Sequence, residues 1–398
     1  MKLLFYELRK SYFRFYILAG LMVLSVLDVT KIVMDYQQGI TDRAVMENED
    51  NLRAIADLSY IFNGKITAEK AAFLEKEEKR LGDIYDKRLN QYNPKEKTYS
   101  GNLYEDYRLL EVYFVPQYRY MVEYQQFSED ITKYAVENVN YYGKKKNVLK
   151  VKENAYIANV YSDRQLQYYA RTNCEKTYLS YSFSFWLIVL LCFLGVAPAF
   201  QNESACGMSY LLRTSKKGGI PSTMTKIIAA FLYGIFLVLW FCLLDYVCYS
   251  FTQGFGAMEL PIWAISDYQK SFLNCSIFSF IIYRAETKII AILMIISVLL
   301  FLSVFIKKII YCMLPLAGLL FIWYKSYNFL FSTIRWKQII GSWNPFTLFG
   351  NVKMYQEFHI MEIGKSFYLC SDMCLIGNIF WIALLLAAIF VWKRRTER

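Results

Sequence analysis

Residues 227–251, IIAAFLYGIFLVLWFCLLDYVCYSF, contain a single Asp, Glu, Lys or Arg, Asp245. A helix needs about 20 such residues to cross the hydrocarbon of a bilayer, and a run this uniformly apolar leaves no wet face for a surface helix. Runs at 15–34, 180–200, 287–306, 309–324 and 375–392 reach or approach the same length. The apolar residues are therefore gathered into blocks rather than spread with a globular period. The expected fold is an all-α polytopic membrane protein with six transmembrane helices and one mainly helical extracellular domain.

An even number of crossings puts both termini on one side. The cationic ends MKLLFYELRKSYFR and KRRTER assign that side to the cytoplasm, because Lys and Arg resist translocation. Residues 1–14 read as an interfacial amphipathic helix, with Met1, Leu4, Phe5, Leu8, Tyr12 and Phe15 on one side and Glu7, Lys10 and Arg14 on the other. The first crossing, 15–34, ends in LDVTKIVMDY without a small-residue cleavage site and is expected to stay as an anchor. Residues 35–178 form the extracellular domain. Residues 179–398 hold five further crossings, a cytosolic loop at 201–226 and outer segments at 252–286 and 325–374.

Charge separates these parts. Residues 35–178 carry 22 Lys and Arg against 23 Asp and Glu, so the net charge of +11 comes from the membrane part. There Lys2, Arg9, Lys10, Arg14, Arg213, Lys216, Lys217, Lys226, Lys307 and Lys308 fall at predicted cytosolic helix ends. Nucleic-acid binding would want a basic stripe on a soluble face; membrane lipid is the better anionic neighbour. The five basic residues of 325–374 run against the rule, since that segment is placed outside.

Within the outer domain, TAEKAAFLEKEEKRLGDIYDKRL (67–89) predicts a helix capped by Thr67, with Leu74, Leu81, Tyr85 and Leu89 on one stripe, ending at Asn93 and Pro94. A second helix follows Pro116, with Met121, Tyr124, Tyr134 and Asn138 at compatible spacing. GKKKNVLKVKENAY reads as a turn and a short strand, and a third helix starts near Ser162 and runs toward the second crossing. The outer segments QGFGAMELPIWAISDYQ and SWNPFTLFGNVKMYQEF are too aromatic for solvated loops. Irregular backbone near the membrane survives only where protein or a wet cavity satisfies it, which predicts short re-entrant or interfacial pieces packed on the bundle.

The chemistry-bearing patterns are mostly absent. GKS at Gly364 to Ser366 lacks the glycine of a phosphate-cradling loop, His359 standing in its place. There is no HExxH and a single histidine, so metal hydrolysis and His-based acid or base catalysis lose their usual residues, and no catalytic or metal site is expected. Cys174, Cys275, Cys370 and Cys374 lie outside or near the outer surface, where one disulfide could form, at spacings that match no metal pattern. Three charged residues in the apolar runs stand out: Asp28 and Lys31, three apart and able to pair, and Asp245. Each is either an interfacial charge or part of a translocation path.

The loop after the second crossing, ESACGMSYLLRTSKKGG (203–219), must turn and re-enter by Lys226. Glu203 suits the positive end of a short helix. Small residues at 205, 207 and 209 allow close approach, and Leu211 and Leu212 offer an apolar knob to a partner groove. Glu203, Gly207, Leu211, Leu212, Thr214, Ser215, Lys217 and Lys226 resemble the E-x-x-x-G-T-x-x-L-L-x-T-S segment of type-2 ABC transporter permeases, with Met208 in place of the usual small hydroxyl residue. The order of amphipathic helix, span, outer domain, loop and six spans is similar too, and Asn344 to Phe346 is a weaker second match.

The resemblance implies the transmembrane permease subunit of an ABC exporter in a bacterial plasma membrane, working as a homodimer or a heterodimer with a second permease. In that family the loop is the coupling helix, so Glu203, Gly207, Leu211, Leu212, Arg213, Thr214 and Ser215, with Lys307 and Lys308 nearby, would dock on a separate ATP-binding subunit. That subunit would carry MgATP, and this chain would hold no cofactor and hydrolyse nothing. The cargo would be amphipathic: a peptide, an antimicrobial compound or a lipid-like molecule. The competing reading is a non-transporting membrane sensor or immunity protein whose outer domain binds a ligand.

Overall fold

The computed structural model describes residues 2–41, 57–87, 106–107, 110–205, 219–306, 308–350, 352–364 and 366–397. These residues are predominantly helical, and five helical stretches, Phe15–Gln37, Asn173–Gln201, Ile220–Thr252, Ile277–Phe305 and Cys370–Arg395, are long and apolar enough to cross a membrane. The protein is thus a multi-pass, mainly α-helical membrane protein. The predicted run 309–324 forms an 18-residue helix, Ile309–Ser326, with Pro315 inside it.

In chain order, α1 (Lys2–Ser11) lies against the bundle and α2 (Phe15–Thr41) follows it. The domain contributes α3 (Ala68–Lys87), α4 (Val115–Lys144) and α5 (Val148–Tyr161). The chain returns through α6 (Asn173–Ser180), α7 (Ser184–Val196) and α8 (Pro198–Ala205). Then come α9 (Ile220–Thr252), α10 (Ile277–Phe305), α11 (Ile309–Ser326), α12 (Arg335–Ser342), α13 (Pro345–Gly350), α14 (Lys353–Gln356) and α15 (Cys370–Glu397). Strands β1 (Gly64–Lys65) and β2 (Tyr168–Tyr169) pair antiparallel inside the domain, and β3 (Ile360–Ile363) and β4 (Ser366–Leu369) form a hairpin before α15. Gly364 takes the positive φ of 64° that this hairpin turn requires, which is the structural role of the GKS match.

Close helix approach organises the membrane bundle. A Cβ on Gly234 of α9 would stand 2.2 Å from Ile296 Cδ1 of α10, and one on Gly195 of α7 would stand 2.7 Å from the Tyr233 ring. Small residues let backbones meet where lipid offers no hydrophobic drive between helices. Tyr233 in turn stacks on Tyr12 at 4.4 Å, seating the end of α1 against α9. Glu7, expected on the wet side of α1, is buried.

The domain differs from expectation in two helices. GKKKNVLKVKENAY is mostly helix: Lys146 adopts φ 54° to end the α4–α5 turn, and Asn147 caps α5 by accepting from the Lys150 amide at 3.2 Å. That helix ends at Tyr161, so no helix starts at Ser162; the chain instead passes through β2 and restarts at α6. On α4, Met121 and Tyr124 are buried as predicted, whereas Tyr134 and Asn138 are exposed, because the second half of the helix projects beyond the core. Thr67 does cap α3, accepting from the Lys70 amide at 3.3 Å, and Leu74 and Leu81 are buried. Tyr85 has no described side-chain environment, and Leu89, Asn93 and Pro94 lie outside the described residues.

The domain's core of Leu58, Phe62, Phe114, Tyr118 and Met121 also takes in Ala264, with Trp263 packed against it, both from the α9–α10 connection. Arg164 locks this joint. Its guanidinium donates to Asn274 Oδ1 at 2.6 and 3.0 Å, to the Ser271 carbonyl at 2.7 Å and to the Leu273 carbonyl at 3.3 Å, between the rings of Tyr161 and Trp263 at 4.4 and 4.3 Å. Burial pushes the Tyr161 phenol up to about 12 in spite of the adjacent cation, so this ring stays neutral at physiological pH. Cys174, Cys275, Cys370 and Cys374 are all free thiols, so the disulfide that was open in the sequence is absent among them.

Arg164→Ala leaves the buried Ser271 carbonyl without its donor and removes those of the half-buried Leu273 carbonyl and the exposed Asn274, and it is expected to cost about 2 kcal/mol, at roughly 1–3 kcal/mol per orphaned buried group. Arg164→Lys should recover only part of this, because an ammonium cannot reproduce a planar fork. Limited proteolysis of the purified protein checks it: the alanine variant should be cleaved faster within 254–276, and unchanged cleavage would remove Arg164 from this role.

Candidate functional site

The start of α7 brings together two buried acids of the bundle. Asp28 of α2 and Asp245 of α9 are 0% and 1% exposed, so neither is an interfacial charge reaching for water. Tyr181 donates its hydroxyl to Asp28 Oδ1 at 2.6 Å, and Ser184 donates to Asp245 Oδ2 at 3.1 Å. Tyr181 and Ser184 are three residues apart, so the two acids converge on one short stretch of chain and come within hydrogen-bond reach of each other. Asp28 Oδ2 and Asp245 Oδ1 have no hydrogen-bond partner.

Helix α10 supplies the opposing charge. Lys288 lies near both acids and its Nζ is 5.2 Å from the Phe349 ring. One turn earlier, Arg284 donates to the carbonyls of Leu348 and Phe349 at 2.9 and 2.6 Å. Those are the last carbonyls of the short helix α13, so the guanidinium satisfies groups that have no intrahelical partner. Two acids and two bases are thereby formally balanced in a region where an unpaired charge is expensive.

Two further polar side chains hold the irregular segments at this end. Glu175, at 0% exposure, accepts the amides of Gly256 and Ala257 at 2.9 and 2.7 Å. Asn344 donates to the Trp323 carbonyl at 2.6 Å and accepts the Phe346 amide at 2.9 Å, capping α13; this is the structural role of the Asn344 to Phe346 match. The aromatic segments around 256–264 and 344–349 are therefore packed on the bundle, as their composition predicts.

The predicted residues divide three ways. Asp28 and Asp245 are brought together. Lys31 is not paired with Asp28: it reaches along α2 to Asp35, one turn on and closer to water, and leaves Asp28 to Tyr181. Glu203 lies on α8, while Gly207, Leu211, Leu212, Arg213, Thr214, Ser215 and Lys307 lie outside the described residues. Lys308 is exposed, its Nζ 5.6 Å from the Tyr311 ring. Arg284, Lys288, Glu175 and Arg164 were missed. The signal for the first two is present in IFSFIIYRAETKIIAI: seven mostly apolar residues precede Arg284, so the helix starts at Ile277 and carries both cations into the bundle, ten residues before the predicted start of that crossing. No family model, curated protein or solved structure matches this chain.

Asp245→Asn keeps an acceptor for Ser184 and offers Asp28 a donor, so it should fold and survive detergent extraction nearly as well as the wild type. Asp245→Leu strips Ser184 of its acceptor, and Lys288→Met removes a buried cation from the same region; leaving a buried polar group unsatisfied costs about 1–3 kcal/mol. Thermal unfolding in mild detergent should rank the wild type and Asn variant well above the other two. Equal melting of the Asn and Leu variants would show that the polar contacts contribute nothing.

Proposed function

We propose that the chain is the membrane-spanning subunit of an ATP-driven exporter of the type-2 ABC permease kind, in a bacterial plasma membrane. The supporting observation is where α8 and α9 lead. Helix α8, which carries Glu203, ends at Ala205 and α9 begins at Ile220, both at the end of the bundle opposite the domain, where the resemblance would put a coupling helix. That end is cationic: Lys226 and Lys393 approach the Phe200 ring at 4.8 and 4.7 Å, Arg394 and Arg395 follow Lys393 directly, and Lys308 precedes the first turn of α11, which meets Gln201 of the same end. By the positive-inside rule it faces the cytosol, and the domain then faces outward.

Helix α11 is read as the sixth crossing. Its first turn meets Gln201 of the cytosolic end through Cys312, 2.8 Å away, and its last turn brings Tyr324 within 6.3 Å of Trp186 at the domain end. Eighteen residues span about 27 Å, close to the thickness of the hydrocarbon. Both termini then lie inside. ATP would be hydrolysed on a separate subunit, and the motion would reach this chain through Glu203 to Ser215, with Lys307 and Lys308 nearby. A dimer with a second permease copy or sister chain and an amphipathic cargo complete the proposal.

Leu211→Asp combined with Leu212→Asp should abolish co-purification of an ATP-binding subunit from the native host while membrane insertion is unchanged. In intact cells a cysteine at position 216 should resist an impermeant thiol reagent, and one at 95 should react. Retained co-purification would defeat the docking role; wild-type complexes without any ATPase would favour the sensor reading; reversed labelling would overturn the orientation.

A further inference from the structure

Six aromatic rings surround an open hollow of about 160 Å³ beside the charge cluster: Phe185 and Trp186 from α7, Tyr324 from α11, Tyr327 just after it, and Phe346 and Phe349 from α13. Phe185, Phe346 and Phe349 are buried, whereas Trp186 and Tyr324 are 44% and 50% exposed. Ser182 and Gly350, both exposed, complete the lining. The rings meet at angles rather than filling the space. Phe185 and Phe346 are 4.6 Å apart at 65°, Trp186 and Phe346 5.3 Å at 60°, and Tyr324 and Phe346 6.4 Å at 69°. Buried polar contacts fix the elements that carry them. Asn344 bonds α13 to the Trp323 carbonyl, and Arg284 holds the other end of α13. The hollow is therefore pre-formed, which lowers the ordering cost of filling it.

We infer that this hollow is a binding site for a quaternary ammonium group. Ring faces carry the negative end of the aromatic quadrupole, so a cage of them attracts a diffuse cation and repels an anion. No acidic or basic side chain lines it, and Ser182 supplies the single side-chain hydroxyl besides the two tyrosines. A primary ammonium would give up its hydration for few acceptors; a methylated one needs none. Lys288 Nζ, 5.2 Å from the Phe349 ring, stays outside the lining of the hollow. A hollow of this size holds on the order of five waters, the scale of a small organic cation. Its place at the start of α7, on the domain side of the bundle, allows two sources for the same chemistry: a free organic cation, or the phosphocholine headgroup of a lipid.

The test is calorimetric titration of the full-length protein, purified in a maltoside detergent, with choline chloride and with its uncharged isostere 3,3-dimethyl-1-butanol. Choline should bind saturably and the isostere at least tenfold more weakly. Trp186→Ala and Tyr324→Ala should each weaken choline binding about fivefold or more, the scale of one lost cation–π contact, while Trp186→Phe retains most of it. Gel filtration and thermal unfolding of the same samples check that the variants remain folded. In nanodiscs, choline binding that persists in phosphatidylglycerol but is blocked in phosphatidylcholine supports the site with a headgroup as its occupant; persistence in both supports it with a free cation. Absence of choline binding in folded protein, equal binding of the uncharged isostere, or unchanged affinity in a folded Trp186→Ala/Tyr324→Ala variant overturns the inference.

Discussion

Irregular backbone beside a membrane must find hydrogen-bond partners within the protein, because hydrocarbon offers none. At the domain end of this molecule those partners are charged or amide side chains withdrawn from water. Glu175 takes the amides of Gly256 and Ala257, Arg284 the carbonyls that end α13, Asn344 the cap that begins it, and Arg164 the carbonyls of Ser271 and Leu273. Each is nearly or fully buried. Each also joins segments far apart in sequence, so satisfying the backbone and assembling the fold are one event.

The consequence is a molecule with two unlike ends. At one, the domain shares its core with the α9–α10 connection, and the acids of α2 and α9 are clasped by the start of α7 beside the cations of α10. At the other, Lys226 of α9 and Lys393 of α15 meet on the Phe200 ring at the ends of long helices. In the proposed exporter the first end supplies a fixed frame and the second receives the push. A packed, discretely bonded frame transmits such a displacement as a shift of whole helices rather than as local give.

The helices were legible because their cause is local. Apolar blocks, Thr67 as a cap and Leu74 and Leu81 on one stripe all act within a few residues, and they reappear in α3 and in the membrane helices. The site was half legible. Asp28 and Asp245 could be singled out as costly charges in apolar runs, but their convergence depends on helix packing, and i, i+3 spacing pointed Asp28 to Lys31 while its actual partner, Tyr181, is 153 residues away. Arg164 and Glu175 look like ordinary surface charges in sequence, since nothing local announces that the α9–α10 connection will fold over them. GKKKNVLKVKENAY reads as a turn and a short strand, although the Asn147 side chain within it caps α5.

Hydrogen–deuterium exchange of the full-length protein in detergent, read residue by residue, tests most directly whether buried side chains make this end one body. The amides of Gly256, Ala257 and Phe346, each bonded to such a side chain, should exchange as slowly as those in the middle of α9 and α10. Exchange of these three at the rate of the exposed α4–α5 turn would contradict the account.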